Sequence, residues 1–215
     1  RCARVTGVQT CALPIYAVLY THAGPEIAVA STKAFLAQIT AAYLLGLYLA
    51  ELRGNKYADE VAGYLQELAA IPAKIQDVLD GASAIREVAR SLKDTPSVLF
   101  LGRHVGFPVA MEGALKLKEL AYIHAEGFAA GELKHGPIAL IEEGQVVVFL
   151  VPTRRRPELY KKVISNIQEV RARGAFTICV AEEGDSEVEE FADVIFRVPE
   201  APTLMLPLLS VVPLQ

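Results

Sequence analysis

The sequence has few cysteines, no basic excess and no complete metal-binding motif. Its three cysteines, Cys2, Cys11 and Cys179, form neither a CxxC pair nor a Cys/His spacing typical of zinc, and their odd number does not suit a disulfide framework. We therefore predict a reducing, cytoplasmic environment and no metal site. The net charge of −4 leaves no positive surplus to hold a phosphate backbone, so nucleic acid is not an expected partner.

Long apolar runs and cofactor motifs are also lacking. The most apolar stretch, residues 34–49, is interrupted by Gln38 and Thr40 and falls short of the roughly 20 apolar residues that a membrane span needs. We interpret it as part of a buried helix, and no membrane association is expected. Neither a Walker loop nor a GxGxxG, GxSxG or HExxH motif occurs.

The second half of the chain alternates short apolar runs with helical periods. Strands separated by helices and apolar throughout predict an α/β fold, in which a parallel sheet is covered by helices on both faces. The predicted strands are 97–102, 146–151, 176–181 and 194–198, and the predicted helices are 108–122 and 157–173, with a further helix starting after Pro202.

The first half of the chain shows a different organisation. Residues 1–15 have no clean period and are predicted to be a non-native leader. A β-prone run at 16–20 precedes a predicted helix at 33–52, which Ser31 and Thr32 are suited to cap. A helical connector follows from residue 56, with Pro72 as a predicted break. These shifts divide the chain into a leader at 1–15, a first part at 16–54, a connector at 55–83 and a domain at 84–215.

One helix face carries Glu112, Lys116 and Glu119 at spacings of three and four residues, which bring their side chains together. Such spacing is common in solvated salt bridges, and this bland interpretation is the default. A catalytic interpretation gains weight only if the segment 123–138 covers this face.

Residues 123–138 have neither helical nor strand periodicity, and we predict a long structured loop there. His135 stands immediately before a Gly136-Pro137 corner that would hold its backbone. Histidine suits proton transfer at neutral pH, although a lone histidine is more often a satisfied polar group. His124 and Glu126 could pair with His135 or merely anchor the loop.

A possible anion site lies at residues 30–33, where hydroxyls, backbone N–H groups and Lys33 meet at a helix start. Phosphate would be favoured at such a position. Ordinary N-capping explains the same residues, and the sequence leaves both interpretations open.

Three blocks in order, residues 21–35, 112–141 and 166–174, closely resemble the isomerase half of the glucosamine-6-phosphate synthase family. The resemblance implies two sugar-isomerase (SIS) domains, with this chain holding the end of the first and most of the second. It implies that Glu119 shuttles a proton between C1 and C2 of the sugar, assisted by Lys116. His135 would open the sugar ring from the adjacent subunit, and Val29, Ala30 and Ser31 would line the fructose 6-phosphate pocket.

The resemblance also implies partners and gaps. It implies fructose 6-phosphate as substrate, glucosamine 6-phosphate as product, a glutaminase domain that supplies ammonia, a homodimer, and neither metal nor organic cofactor. The family's phosphate-holding Ser/Thr loops and its Schiff-base lysine have no counterpart in this sequence, so the isolated chain is expected to be inactive.

Two alternatives stay open at this point. A stand-alone phosphosugar isomerase or deaminase would share the fold without needing a glutaminase domain. A sugar-phosphate-sensing module of a transcriptional regulator would also share the fold, but it would not need the set of Lys116, Glu119 and His135.

Overall fold

The computed structural model describes residues 17–215, and the predicted leader at 1–15 lies outside the described residues. Helices dominate up to residue 91, and strands then alternate with helices. The helices are α1 (Lys33–Leu52), α2 (Ala58–Asp80), α3 (Ala82–Ser91), α4 (Gly106–Ala121), α5 (Pro157–Arg171) and α6 (Leu206–Ser210). The strands are β1 (Ser97–Gly102), β2 (His124–Ala129), β3 (Val146–Leu150), β4 (Phe176–Glu182) and β5 (Val194–Val198).

The strands form one parallel sheet in the order β2-β1-β3-β4-β5. Val98 of β1 is in register with Ala125 on one side and Val146 on the other, so β1 lies between β2 and β3. Every residue of β3 is buried, as expected for a central parallel strand covered on both faces. The predicted α/β fold with a parallel sheet is confirmed.

Helices cover both faces of this sheet. Phe100 and Val148 belong to a core that includes residues of α2, α4 and α6. Leu101 and Phe149 point to the opposite face and belong to a second core with α5 and the 3-10 helix Ala130–His135, called the 130–135 turn below. Because side chains alternate along a strand, one short apolar strand serves both cores.

Strand β2 lies inside the segment that the sequence predicted to be a loop, so that prediction was wrong. Its polar residues and its glycine give β2 no apolar strand pattern. Such a composition is tolerated because β2 is an edge strand that pairs only with β1. Gly127 lets α4 approach closely, since a Cβ there would lie 2.7 Å from the Met111 Cα. Tertiary packing therefore makes β2 a strand.

The predictions for the N-terminal part were partly wrong. Residues 17–20 form no strand, and Val18 and Tyr20 are well exposed, because no described strand pairs with them. Helix α1 has the predicted bounds but no buried residue, and its Leu45 and Tyr48 face solvent. Helix α1 is long and apolar enough to cross a membrane by length and composition alone. Core helices of soluble proteins also meet this criterion.

Helix α2 passes through Pro72 without ending, so the predicted break there was wrong. Ile71 and Val78 are both buried in the sheet core, and their packing outweighs the backbone hydrogen bond that proline removes. The division into parts at 16–54, 55–83 and 84–215 stays a prediction.

Candidate functional site

Helix α4 carries Glu112, Lys116 and Glu119, which are called the acid–base cluster below. It starts beyond the carboxyl end of β1 and returns to the start of β2, so its last turns lie toward the amino ends of these strands. Val109, Ala110 and Ala114 bury one side of α4 in the core. Lys116 and Glu119 are thereby fixed on a rigid element, but away from the strand carboxyl ends, where parallel sheets usually bind ligands.

Lys116 lies between two carboxylates. Its Nζ is 2.7 Å from Glu119 Oε2 and 3.4 Å from Glu112 Oε1. The Lys116 side chain is only 4% exposed, whereas Glu112 is 11% and Glu119 35% exposed. The three residues therefore form a graded cluster in which Glu119 is the member open to a ligand, not a fully solvated salt-bridge face.

The pKa of Lys116 reflects opposing influences. Burial lowers the pKa, but the hydrogen bond to Glu119 and the negative charges of Glu112 and Glu119 outweigh it, so the pKa is raised above its ordinary value. Lys116 is consequently an ammonium ion at neutral pH. It can donate hydrogen bonds and stabilise negative charge, but it cannot act as a base there.

The cluster is covered by elements other than the 123–138 segment. Lys116 lines a groove of about 430 Å³ together with Leu79 of α2, Ile85 of α3 and the C-terminal Gln215. Cover by the 123–138 segment, the condition set for a catalytic interpretation, is not met, because no residue of that segment lines this groove. The cover comes from residues remote in the sequence, which helical spacing could not reveal.

Residues 29–31 precede α1, and their environments differ. Val29 is 97% exposed, whereas Ala30 is buried and Ser31 is half-buried. The Nε2 of Gln215 donates a hydrogen bond to the carbonyl oxygen of Thr32 at 3.5 Å. Because Gln215 also lines the groove at Lys116, this contact links the start of α1 with the acid–base cluster.

The predicted capping of α1 by Ser31 and Thr32 was wrong. The Glu26 carboxylate accepts hydrogen bonds from the Thr32 and Ala34 N–H groups at 3.4 and 3.1 Å, and from the Thr32 hydroxyl at 3.3 Å. Glu26 therefore supplies the negative charge that a helix start favours. The contact of Glu26 could not be predicted, because Glu26 lies too far from Thr32 in the sequence for a recognisable capping pattern.

His135 lies at the end of the 130–135 turn and is exposed. Gly136 follows with a φ of 150°, a conformation that favours glycine, as the predicted corner requires. The turn packs on the face of the sheet opposite α4, through the buried Leu133. One copy of the chain therefore does not bring His135 to Lys116 and Glu119.

The remaining histidine of this segment has a different partner. His124 Nε2 lies 2.8 Å from Glu126 Oε1 on β2, so these two residues pair with each other and not with His135. Among residues 17–215, no group of three or more His, Cys, Asp or Glu side chains is placed to hold a metal ion.

The five-stranded parallel sheet and the carboxylate–ammonium cluster on a crossover helix define a doubly wound α/β domain with acid–base groups. The chain belongs to the SIS domain family, whose pattern matches residues 91–215.

Two curated relatives are both glutamine–fructose-6-phosphate aminotransferases (isomerizing). The protein from Corynebacterium efficiens is 70% identical over 200 residues, and that from Corynebacterium diphtheriae 72% over 201 residues. These matches cover 93% of this chain but only 32% of each relative, so the chain spans about a third of their length. The resemblance predicted from the three sequence blocks is confirmed.

A solved structure gives the same result. The C-terminal domain of glucosamine-fructose-6-phosphate aminotransferase from Francisella tularensis superimposes with a TM-score of 0.82 at 37% identity. The match covers 89% of this chain and 53% of that chain.

Proposed function

We propose that this chain provides the proton-transfer part of an isomerising glutamine–fructose-6-phosphate aminotransferase, which makes glucosamine 6-phosphate. One observation carries the proposal. The buried Lys116 ammonium contacts two carboxylates, of which Glu119 is the more exposed. A carboxylate beside a fixed cation can take up and return a proton without leaving its place.

In the proposed reaction, ammonia from a glutaminase domain adds to C2 of the open-chain keto sugar, and loss of water gives the 2-imine. Glu119 then moves a proton from C1 to C2, while the proton of the C1 hydroxyl passes to the nitrogen, which yields the 2-amino aldose. Lys116 stays protonated, orients the Glu119 carboxylate and can stabilise negative charge on the sugar. Glu112 neutralises the second side of the ammonium and keeps it in place.

His135 is proposed to open the sugar ring from a second copy of the chain, in a homodimer. The location of the 130–135 turn, on the sheet face away from α4, supports a contribution between subunits. Val29, Ala30 and Ser31 are proposed to line the sugar pocket, and the contact between Gln215 and Thr32 is consistent with this role. The proposed setting is the cytoplasm.

The identity of 70% to an aminotransferase supports this function over the two alternatives, a stand-alone isomerase or deaminase and a sugar-phosphate sensor. A sensor also has no need of a buried ammonium between two carboxylates.

A segment exchange tests the proposal. The matching 200 residues of the Corynebacterium efficiens aminotransferase are replaced by those of this chain, and glucosamine 6-phosphate formation from fructose 6-phosphate and glutamine is measured. We expect this graft to be active. Glu119→Gln in the graft should lower kcat by about 10²- to 10⁴-fold, the usual contribution of a general acid–base group.

The control is Glu60→Gln, which removes a carboxylate from a comparable but exposed ion pair with Lys56 on the surface of α2. This variant should keep the activity of the graft. Fructose 6-phosphate binding by the Glu119→Gln graft, measured by calorimetry, should also persist. An active graft that loses little activity on Glu119→Gln would contradict the assigned role.

A further inference from the structure

The sequence block 166–174 has no role in the chemistry described so far, yet it lies against the turn that carries His135. Its residues Asn166 and Glu169 are on α5, which packs on the same sheet face as the 130–135 turn. Each side chain makes a polar contact on that side, and the two contacts hold different ends of the turn.

The first contact holds the start of the turn. Arg103 donates from Nε and Nη2 to the Asn166 Oδ1 at 3.1 and 3.0 Å, and its Nη2 also approaches the Ala130 carbonyl oxygen at 3.4 Å. Asn166 is 5% exposed, so its amide oxygen is held in a fixed place. Gly131 allows this approach, since a Cβ there would lie 3.1 Å from the Arg103 Nη1.

The second contact holds the end of the turn. Lys134 Nζ lies 3.0 Å from Glu169 Oε1, and this residue directly precedes His135. The other carboxylate oxygen of Glu169 is buried, and it accepts no hydrogen bond from the residues that the structure describes. The Lys134 side chain is 66% exposed, so solvent screens this ion pair, and it is the weaker of the two contacts that hold the turn.

Between these contacts, Leu133 is fully buried in the core. The backbone that carries His135 is thus held at both ends of the turn and by the burial of Leu133 in the core. The imidazole of His135 makes no hydrogen bond or ion pair with any of residues 17–215, whereas its backbone belongs to the 3-10 helix. The backbone of the turn therefore sets the position of His135 without help from a polar contact of its imidazole.

We propose that Arg103, Asn166 and Glu169 are positioning residues for His135, which act by clamping the 130–135 turn. This inference rests on the proposed function, because positioning matters only if His135 acts on the sugar. In ring opening, the C2–O5 bond breaks, O5 takes up a proton, and the anomeric hydroxyl gives up its proton as C2=O forms. A histidine displaced by about 1 Å would serve this proton exchange poorly.

The test compares two substrates in the graft described above. Fructose 6-phosphate must open its ring, whereas 5-deoxyfructose 6-phosphate lacks the C5 hydroxyl and is always open. Asn166→Ala should lower kcat/KM for fructose 6-phosphate by about 10-fold or more. It should leave kcat/KM for the 5-deoxy analogue within about 2-fold of the parent graft, because ring opening is bypassed.

Glu169→Gln is the milder variant and should lower kcat/KM for fructose 6-phosphate by about 2- to 5-fold, as expected for loss of one ion pair. A double variant that exchanges the two charges, Lys134→Glu with Glu169→Lys, should recover part of the kcat/KM that Glu169→Gln loses. The matched control is Arg171→Gln, which removes an ion pair of the same helix with Asp193, away from the turn. This control should leave kcat/KM unchanged for both substrates.

A second measurement does not depend on activity. Hydrogen–deuterium exchange of residues 130–136 in the 215-residue chain should become faster in Asn166→Ala and stay unchanged in Arg171→Gln. In Asn166→Ala, an equal loss of kcat/KM for both substrates would overturn the inference. Unchanged hydrogen–deuterium exchange of residues 130–136 would overturn it as well. Failure of the proposed function gives a different result, in which the Glu119→Gln graft still converts both substrates.

Discussion

Loss of the Lys116 ammonium should destabilise the chain strongly, because two carboxylates would lose their common partner. Removal of one member of a buried ion pair typically costs 3–5 kcal/mol. Glu112 is 11% exposed and would suffer most of this penalty, whereas Glu119 is 35% exposed and is partly solvated. We therefore expect the lower end, about 3 kcal/mol, for Lys116→Met. For a chain of this size the change corresponds to a fall in Tm of about 6–12 °C.

The assay is thermal and urea unfolding of the 215-residue chain, followed by circular dichroism. Adding Glu112→Gln to Lys116→Met should restore part of the stability, because the most buried negative charge is then gone. Lys56→Met, in the exposed pair with Glu60, should change little. A Lys116→Met chain as stable as its parent would refute the electrostatic account.

The pH dependence of this difference follows from the raised pKa of Lys116. A raised folded-state pKa means that the stabilisation is fully present below the ordinary lysine value of 10.5 and is lost as the pH rises through the folded-state pKa. The Tm difference between the parent and Lys116→Met should therefore persist from pH 7 to about pH 10 and shrink above it. A difference that already disappears by pH 9 would show that the ammonium is not held as described.

Two further predictions use the packing and the proposed assembly. Gly127→Ala places a Cβ 2.8 Å from the Met111 nitrogen and should cost about 1–3 kcal/mol in urea unfolding, whereas Gly63→Ala, in open space on α2, should stabilise by about 0.4–1 kcal/mol. Mixing inactive Glu119→Gln and His135→Ala grafts after unfolding and refolding together should restore about a quarter of the parental activity, because half of the dimers would hold one intact site. A mixture that stays inactive would argue against a site shared between subunits.

Much of the fold could be predicted because the sheet interior leaves a strong local signal. Strands β1, β3, β4 and β5 are short apolar runs, and the bounds of β5 agree at both ends. Strand β2 could not be predicted, because an edge strand with His124, Glu126 and Gly127 has no apolar pattern, and its pairing with β1 is a long-range effect. The prediction that α1 is buried was wrong for a related reason, because composition alone does not determine which elements cover a helix.

The site was only partly predictable. Helical spacing brings Lys116 beside Glu112 and Glu119, and both contacts exist. The burial of Lys116 depends on α2, α3 and Gln215, and no local pattern could report that. The contact between Arg103 and Asn166 could not be predicted for the same reason, because the two residues are 63 positions apart in the chain.

The two parts of the proposed site lie on opposite faces of one sheet, and each is held there by buried residues. Ala114 fixes α4, which carries Glu119, and Leu133 fixes the turn that carries His135. Neither segment can cross a sheet whose central strands are buried on both sides without loss of the core that makes the fold stable. If both residues act on one sugar, the shortest physical route is therefore the approach of a second, intact copy. Rigid clamping of the turn then becomes necessary, because a second subunit can supply a catalytic group accurately only if that group is fixed in its own fold.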